Sequence, residues 1–217
     1  MRGFRDVGGL AVASLDEEER LVIARIVADV GAMLGGDGFG DEHPGARPER
    51  EELADALAFL ERADESPREP DDPALLRLLP TAAPTDADVS EEFRRLTEGD
   101  LRDLKIARLR RMWAQLSTGE GRWEVGPAEV MPTAAALTDV RLVVASRLGL
   151  DSEEDAQALH NDLAAAAAAI QSGEAADGAL AGTSEADAER LWLGMLYDAL
   201  TWLQESLVSL NLGGLDD

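Results

Sequence analysis

Residues 191–210 read LWLGMLYDALTWLQESLVSL, and this stretch decides the fold class. Leucine, tryptophan, methionine and tyrosine occupy most of its circumference when it is drawn as a helix. A helix with apolar residues on nearly every side is stable only at the centre of a helical protein or when it is shared with a partner subunit. The stretch therefore predicts a mainly α-helical bundle with a last helix over about 184–210.

At the other end of the sequence, residues 3–15 predict a small β-hairpin. Two short apolar runs flank Gly8-Gly9, and this dipeptide is typical of a two-residue hairpin turn. Residues 122–125 are compatible with one short strand that joins the hairpin.

Helical patterns fill most of the chain between these two ends, and they predict one helical domain over residues 1–217. Ser14 stands three residues before Glu17, the spacing of a capping box, and Thr97 precedes Asp100 in the same way at the start of a long helix. The predicted helices cover 15–34, 48–63, 73–79, 97–119, 131–148 and 151–172, the last of them an Ala-rich insertion. Flexible loops are predicted at 35–47, 64–72 and 173–182.

Charge and cysteine content disfavour several classes of protein. The 217 residues include 44 acidic and 20 basic side chains, which gives a formal net charge of −24. Such a charge repels polyanions, so direct DNA binding is disfavoured. Without cysteine the chain forms no disulfide and no thiolate site. It also has no secretory signal and no apolar run of about 18 residues, so we expect a cytoplasmic protein without membrane contact.

Catalytic signatures are missing from the sequence. Only two histidines occur, His43 and His160, and neither has neighbours at the spacing of a metal site. The nucleophile motifs Gly-x-Ser-x-Gly and Ser-x-x-Lys, the Walker A motif and Gly-x-Gly-x-x-Gly are all absent. We therefore predict no catalytic, metal-binding or cofactor-binding residues, and a protein that is not an enzyme.

One segment, residues 94–111, reverses the acidic sign of the chain. Its cations surround the predicted helix on several sides, so Arg102 and Lys105 are expected to lie along apolar neighbours and to meet acids from another helix. Ion pairing is the favoured role, ahead of docking to an acidic protein surface or contact with phosphates. The seven cations are Arg94, Arg95, Arg102, Lys105, Arg108, Arg110 and Arg111.

A second group of polar residues lies on otherwise apolar helices and needs partners wherever it is buried. Hydrogen bonds and ion pairs between helices are favoured for this group over a ligand pocket, because it lacks a good general base. The group consists of Asp139, Arg141, Arg147, Asp198, Gln204 and Glu205.

Four stretches together resemble an actinobacterial family of oxidative-stress regulators (AosR-like), formerly a domain of unknown function, whose genes lie beside that of the protease adaptor ClpS. They are the DEEER start of the first helix within 15–34, FRRLT at 93–97, LTDVRL through RLG over 137–149, and YD through WLQESLV over 197–208. The resemblance implies a transcriptional regulator that works near RNA polymerase or a sigma factor. A cysteine redox switch cannot operate here, and Met112 and Met195 are expected to be buried, which disfavours a methionine switch.

The combined prediction is a non-enzymatic regulator that acts through protein–protein contact, as a homodimer formed by the last helix or the hairpin. Two alternatives stay open. A DNA-binding regulator would need an exposed face shared by Arg94, Arg95, Arg110 and Arg111. A small-molecule sensor would need a closed pocket lined by Trp192, Trp202, Asp139 and Arg141.

Overall fold

The computed structural model describes residues 1–39, 69–118, 121–171 and 185–213. Within these ranges the mainly α fold with an N-terminal hairpin is confirmed. The strands are β1 (Arg2–Val7), β2 (Leu10–Ser14) and β3 (Arg122–Val125). The helices are α1 (Glu17–Met33), α2 (Pro73–Leu78), α3 (Ala87–Thr118), a 3-10 turn (Pro127–Glu129), α4 (Val130–Leu148), α5 (Glu153–Gln171) and α6 (Glu185–Gly213). The predicted helix at 48–63, the loop at 173–182 and most of the loops at 35–47 and 64–72 lie outside the described residues.

The three strands form an antiparallel sheet in the order β1-β2-β3. Gly8 and Gly9 have φ values of +65° and +86°, the left-handed backbone that a two-residue hairpin turn of this kind requires. On the other edge of β2, Ala13 pairs with Trp123 and Ser14 with Arg122. The expected third strand at 122–125 is therefore present.

The inner face of the sheet joins the helical core through aromatic side chains. The rings of Phe4 and Trp123 meet edge to face with centroids 5.0 Å apart. Trp123 is fully buried, and its indole N–H donates to Gln115 of α3 at 2.9 Å. On β1, the backbone N–H of Phe4 donates to the hydroxyl of Ser206 on α6 at 2.9 Å. The sheet is thus fastened to both long helices.

Helix α1 begins later than the sequence pattern predicted. Its N-cap is Asp16, whose carboxylate accepts from the N–H of Glu19 at 2.8 Å, while Glu19 accepts from the N–H of Asp16 at 2.9 Å. The prediction of a box between Ser14 and Glu17 is wrong, because the backbone of Ser14 belongs to β2 and pairs with Arg122. A helix cannot start until the strand has ended, and aspartate caps as well as serine.

Helix α3 is one continuous rod of 32 residues, so the predicted break before Thr97 is wrong. The hydroxyl of Thr97 donates to the carbonyl of Phe93 at 2.8 Å within the helix, so it does not cap a new one. Glu98 also binds Arg94 one turn before it and Arg102 one turn after it. These i,i+4 pairs stabilise helical backbone across the point where a start was expected.

The core lies between α1, α3, α4 and α6. Helix α4 ends as predicted at Gly149, which adopts a left-handed φ of +70°, and the N–H of Leu150 donates back to Ala145 at 2.9 Å. Helix α6 buries Leu196, Leu200, Leu203 and Leu207 at intervals of three and four residues. Within the described ranges, no helix combines the length and apolarity needed to cross a membrane.

Despite its apolar character, α6 is only partly covered. Trp192, Met195 and Trp202 are 43%, 52% and 45% exposed. Met112 is buried as expected, but the expectation for Met195 is wrong because that side chain is turned about 110° around α6 from the centre of its leucine row.

Candidate functional site: the surface of helix α3

The first half of α3 contains two linked ion pairs, Arg94–Glu98 and Arg102–Glu98, which we call the ionic ladder. Glu98 accepts from Arg94 at 2.7 Å through one carboxylate oxygen and from Arg102 at 2.7 Å through the other. Arg94 and Glu98 are both 7% exposed. Arg102 reaches further and donates to the carbonyl of Leu34 at the end of α1 at 3.1 Å. The expectation that Arg102 meets an acid of another helix is wrong, because its acid lies on α3 itself and only a backbone carbonyl comes from α1.

The middle of α3 is joined to α4 by an ion pair between Lys105 and Asp139, the latter 3% exposed. Burial raises the pKa of Asp139, while the hydrogen bond from Lys105 and the charges of Lys105 and Arg108 act in the opposite direction. The second carboxylate oxygen of Asp139 bonds to no other described atom. The structure therefore places Lys105 against an acid from another helix, and Arg108 near the same carboxylate.

The outer cations of α3 also lie beside acids. Arg95 binds Glu92 at 2.7 Å, and this hydrogen bond lowers the pKa of the Glu92 carboxyl. Arg110 donates to the carbonyl of Asp37 at 2.7 Å and lies over the ring of Phe39, while Arg111 is 3.4 Å from Glu129. Within the described residues, six of the seven predicted cations thus have an acid at ion-pair distance; Arg108 is the remaining one.

Arg95 and Arg111 are paired but remain 52% and 54% exposed, and another part of the α3 surface presents apolar and acidic side chains to solvent. Val89, Phe93, Leu96 and Leu104 are 53%, 52%, 61% and 45% exposed. Asp100 and Asp103 are exposed on the same side, and neither forms an ion pair with another described residue. At about 100° per residue, all six fall within an arc of about 100°. We call this surface the apolar–acidic face: Val89, Phe93, Leu96, Asp100, Asp103 and Leu104.

The four arginines that a DNA-binding surface would need do not share an exposed face. Arg94 is buried against Glu98. Arg95, Arg110 and Arg111 each lie beside a different acid; Arg95 and Arg110 are about 60° apart around the helix, and Arg111 is turned about 100° from Arg110. Phosphates would have to compete with these carboxylates for the same guanidinium groups.

The second predicted group falls into separate contacts. Arg141 donates to Gln204 at 2.6 Å and lies over the ring of Tyr197, which joins α4 to α6. Gln204 in turn donates to Thr138 at 2.6 Å and to the carbonyl of Ala134 at 3.0 Å. These bonds fix the register of α4 against α6.

The other members of the group lie elsewhere. Arg147 binds Asp72, the N-cap of α2, at 2.7 Å, and this bond lowers the pKa of Asp72. Asp198 lies 3.6 Å from His160 of α5. Glu205 is exposed, and its backbone carbonyl accepts from Ser209. The six residues therefore do not form one network.

The pocket suggested for a small-molecule sensor is not assembled from the four residues named for it. The carboxylate of Asp139 pairs with Lys105 of α3, whereas the guanidinium of Arg141 donates to Gln204 of α6. Trp192 and Trp202 lie half-exposed on the outside of α6. Among the residues the structure describes, no three of the metal-binding side chain types converge on one point. His43 lies outside these residues.

The fold and the α3 surface define a mainly α-helical protein in which a long helix presents an apolar and acidic face. The chain belongs to the family described as a domain of unknown function (DUF2017), which matches residues 1–210. No curated protein and no solved structure was found to match the chain.

Proposed function

We propose that this protein is a non-enzymatic regulator that acts in the cytoplasm through protein–protein contact. The observation that carries the proposal is the set of side chains on one face of α3, where four exposed apolar groups lie beside two exposed carboxylates that form no ion pair with another described residue. Exposed apolar patches rimmed by polar groups are typical of protein interaction sites. The resemblance to AosR-like regulators supports a role in transcription under oxidative stress, with a sigma factor or RNA polymerase as the partner.

The charge of the chain supports the same partner class. A body with a formal net charge of −24 attracts basic protein surfaces and repels the DNA backbone. Complementary charge raises association rates and helps to select among partners, while desolvated apolar groups contribute most of the affinity. A polymerase subunit or sigma factor, whose DNA-binding regions are basic, combines both requirements.

A homodimer through α6 is the second part of the proposal. Trp192, Met195 and Trp202 form an apolar stripe, and the carboxylate beside it, Asp198, lies 3.6 Å from His160 of α5. In a two-fold interface each residue near the axis meets its own copy, so an uncharged stripe is better suited to self-association than one with carboxylates. An acidic chain therefore has in α6 a surface where two copies can meet.

The proposal is tested by measuring binding of the purified full chain to three ligands in parallel. These are the RNA polymerase core enzyme, a sigma factor from an actinobacterium, and a mixed-sequence DNA duplex. We expect saturable binding to one of the two proteins that weakens with added salt, and no retention of the duplex at about 0.15 M salt. Tight duplex binding without either protein complex would favour the DNA-binding alternative and contradict the proposal. Turnover of a metabolite by the pure protein would contradict its non-enzymatic part.

A further inference from the structure

The apolar–acidic face has the dimensions of a helix-binding surface. Val89 and Leu104 lie 15 residues apart, which corresponds to about 22 Å along the axis of α3 at 1.5 Å per residue. Phe93 and Leu96 lie between them at intervals typical of anchors that meet another helix. A partner helix of about four turns would cover the apolar side chains from end to end.

The negative charge on this face indicates that its partner carries positive charge. Asp100 and Asp103 have no ion pair with a described residue, whereas Arg94 and Arg102 are both held by Glu98. Cations of the first half of α3 are therefore not free to neutralise these carboxylates. A second copy of the chain would bring the same carboxylates together across the interface, at an electrostatic cost.

The first half of α3 is also fixed in place before any partner arrives. Ser90 donates to the carbonyl of Ala83 at 2.6 Å and accepts from the N–H of Ala83 at 3.1 Å. The buried pair of Arg94 and Glu98 lies on the same side of the helix, one turn further on. Binding to the outer side therefore requires no folding of α3, which lowers the entropic cost of association.

We infer that the apolar–acidic face docks a basic amphipathic helix of a partner protein. Leucine-like side chains of that helix would contact Phe93 and Leu96, and lysine or arginine side chains on its flanks would meet Asp100 and Asp103. This inference rests on the proposed function for the role of the partner, but it assigns the surface and the chemistry of the segment bound there.

The test uses the full chain and two synthetic 18-residue helical peptides. One peptide has leucines on one side and lysines on both flanks, and the other has glutamates in place of the lysines. Binding is measured by fluorescence anisotropy. We expect binding of the lysine peptide only. The double variant Phe93→Ser/Leu96→Ser should weaken it about tenfold or more, because exposed apolar anchors dominate such contacts. Asp100→Asn/Asp103→Asn should weaken it about threefold to tenfold and reduce its salt dependence.

Matched variants separate this face from the general acidic field. Leu21→Ser removes an apolar side chain that is 56% exposed on α1. Glu153→Gln/Glu154→Gln removes the same charge as the Asp100 and Asp103 double variant, from the exposed start of α5. Both controls should leave peptide affinity nearly unchanged. Equal weakening by the controls and the face variants would overturn the inference, as would loss of self-association in the face variants.

The inference and the proposed function fail in distinguishable ways. If a sigma factor or polymerase binds the wild type and the face variants equally, the assigned surface is wrong while the regulatory function stands. If the lysine peptide binds at this face but neither transcription protein binds, the surface stands and the proposed partner is wrong. Thermal unfolding of each variant provides the folding check, because all the altered side chains are exposed in the described structure.

Discussion

Helices α3 and α6 both expose large apolar side chains, but the charges beside them differ. On α3, Phe93 and Leu96 share their side of the helix with Asp100 and Asp103, two carboxylates that form no ion pair with any other described residue. On α6, Trp192, Met195 and Trp202 form a stripe; Asp198 beside it lies 3.6 Å from His160, and the exposed Glu189 and Glu205 lie three residues beyond its two ends. An apolar patch indicates that something binds there, and the charge around it indicates what binds. The α3 surface thus favours a basic partner, and the α6 surface favours a second copy of the chain.

The largest expected effect comes from removing the acid that holds α3 in place. Glu98→Ala leaves Arg94 buried without its carboxylate, and breaking a buried pair in this way costs about 3–5 kcal/mol. We expect the free energy of unfolding, measured with urea, to fall by that amount and peptide binding at the apolar–acidic face to be lost with it.

Glu92→Ala is the matched control for this variant. It removes an exposed partner of Arg95 on the same helix, so its unfolding curve should overlay that of the wild type. Comparable destabilisation by both substitutions would show that the ladder around Glu98 does not fix α3.

A negative charge introduced on α6 should disrupt self-association, whereas the same change on α3 should weaken peptide binding. Met195→Glu introduces a carboxylate that would face its own copy, so we expect dimers to dissociate into monomers in analytical ultracentrifugation at micromolar concentration. Leu96→Glu, the equivalent change on α3, should leave the dimer intact and weaken binding of the lysine peptide. The opposite pattern of assembly would exchange the roles assigned to the two helices.

Salt should move the two contacts in opposite directions. Raising sodium chloride from about 0.05 M to 0.5 M screens the attraction between Asp100, Asp103 and a basic helix, and we expect peptide affinity to fall about tenfold. The same change screens repulsion between two acidic chains, so the α6 dimer should become slightly tighter. Titrations of peptide binding and of sedimentation at matched salt concentrations measure both. If added salt changed the peptide affinity and the dimer affinity in the same direction, the proposed difference between the α3 and α6 surfaces would be wrong.

The smallest effect is expected at an ion pair that belongs to neither surface. The hydrogen bond from Arg147 holds the pKa of Asp72 below its ordinary value. Because the folded pKa is depressed, the stabilisation is complete above the unfolded pKa of about 3.9 and is lost as pH falls through the lower folded value. Asp72→Asn should therefore destabilise the protein by less than about 1 kcal/mol at pH 7 and flatten the acid end of its stability profile. Thermal unfolding measured between about pH 2 and 7 would detect this difference. If the variant lost stability at low pH in the same way as the wild type, Asp72 would not contribute to the acid sensitivity of the protein.

The sequence predicts correctly those elements that are determined by residues close together in the chain. Gly8-Gly9 predicted the hairpin, Gly149 predicted the end of α4, and the 191–210 stretch predicted the last long helix. The start of α1 was misplaced because Ser14 and Asp16 are equally good caps in isolation, and only pairing with β3 removes Ser14 from the choice. The sequence does not reveal the continuity of α3, because the capping spacing of Thr97 and Asp100 indicates a helix start at the same place where the i,i+4 spacing of Arg94, Glu98 and Arg102 indicates a continuous helix.

The candidate site was harder to predict than the fold. The sequence marks 94–111 as basic, yet burial of Arg94 and the contact of Lys105 with Asp139 depend on which side of α3 meets α1 and α4. A helical wheel has no information about that rotation when apolar residues occur on both sides. The apolar spacing of Val89, Phe93 and Leu96 was present in the sequence and was the signal that could have revealed the outer face.

The bond between Phe4 and Ser206 joins residues that are 202 positions apart. During translation the first strand leaves the ribosome long before the last helix is made, so until then β1 lacks the part of its packing surface that α6 supplies. Ribosomes paused before codon 206 should therefore carry chains in which Phe4 is open to proteases, and protection should appear late and abruptly as α6 emerges.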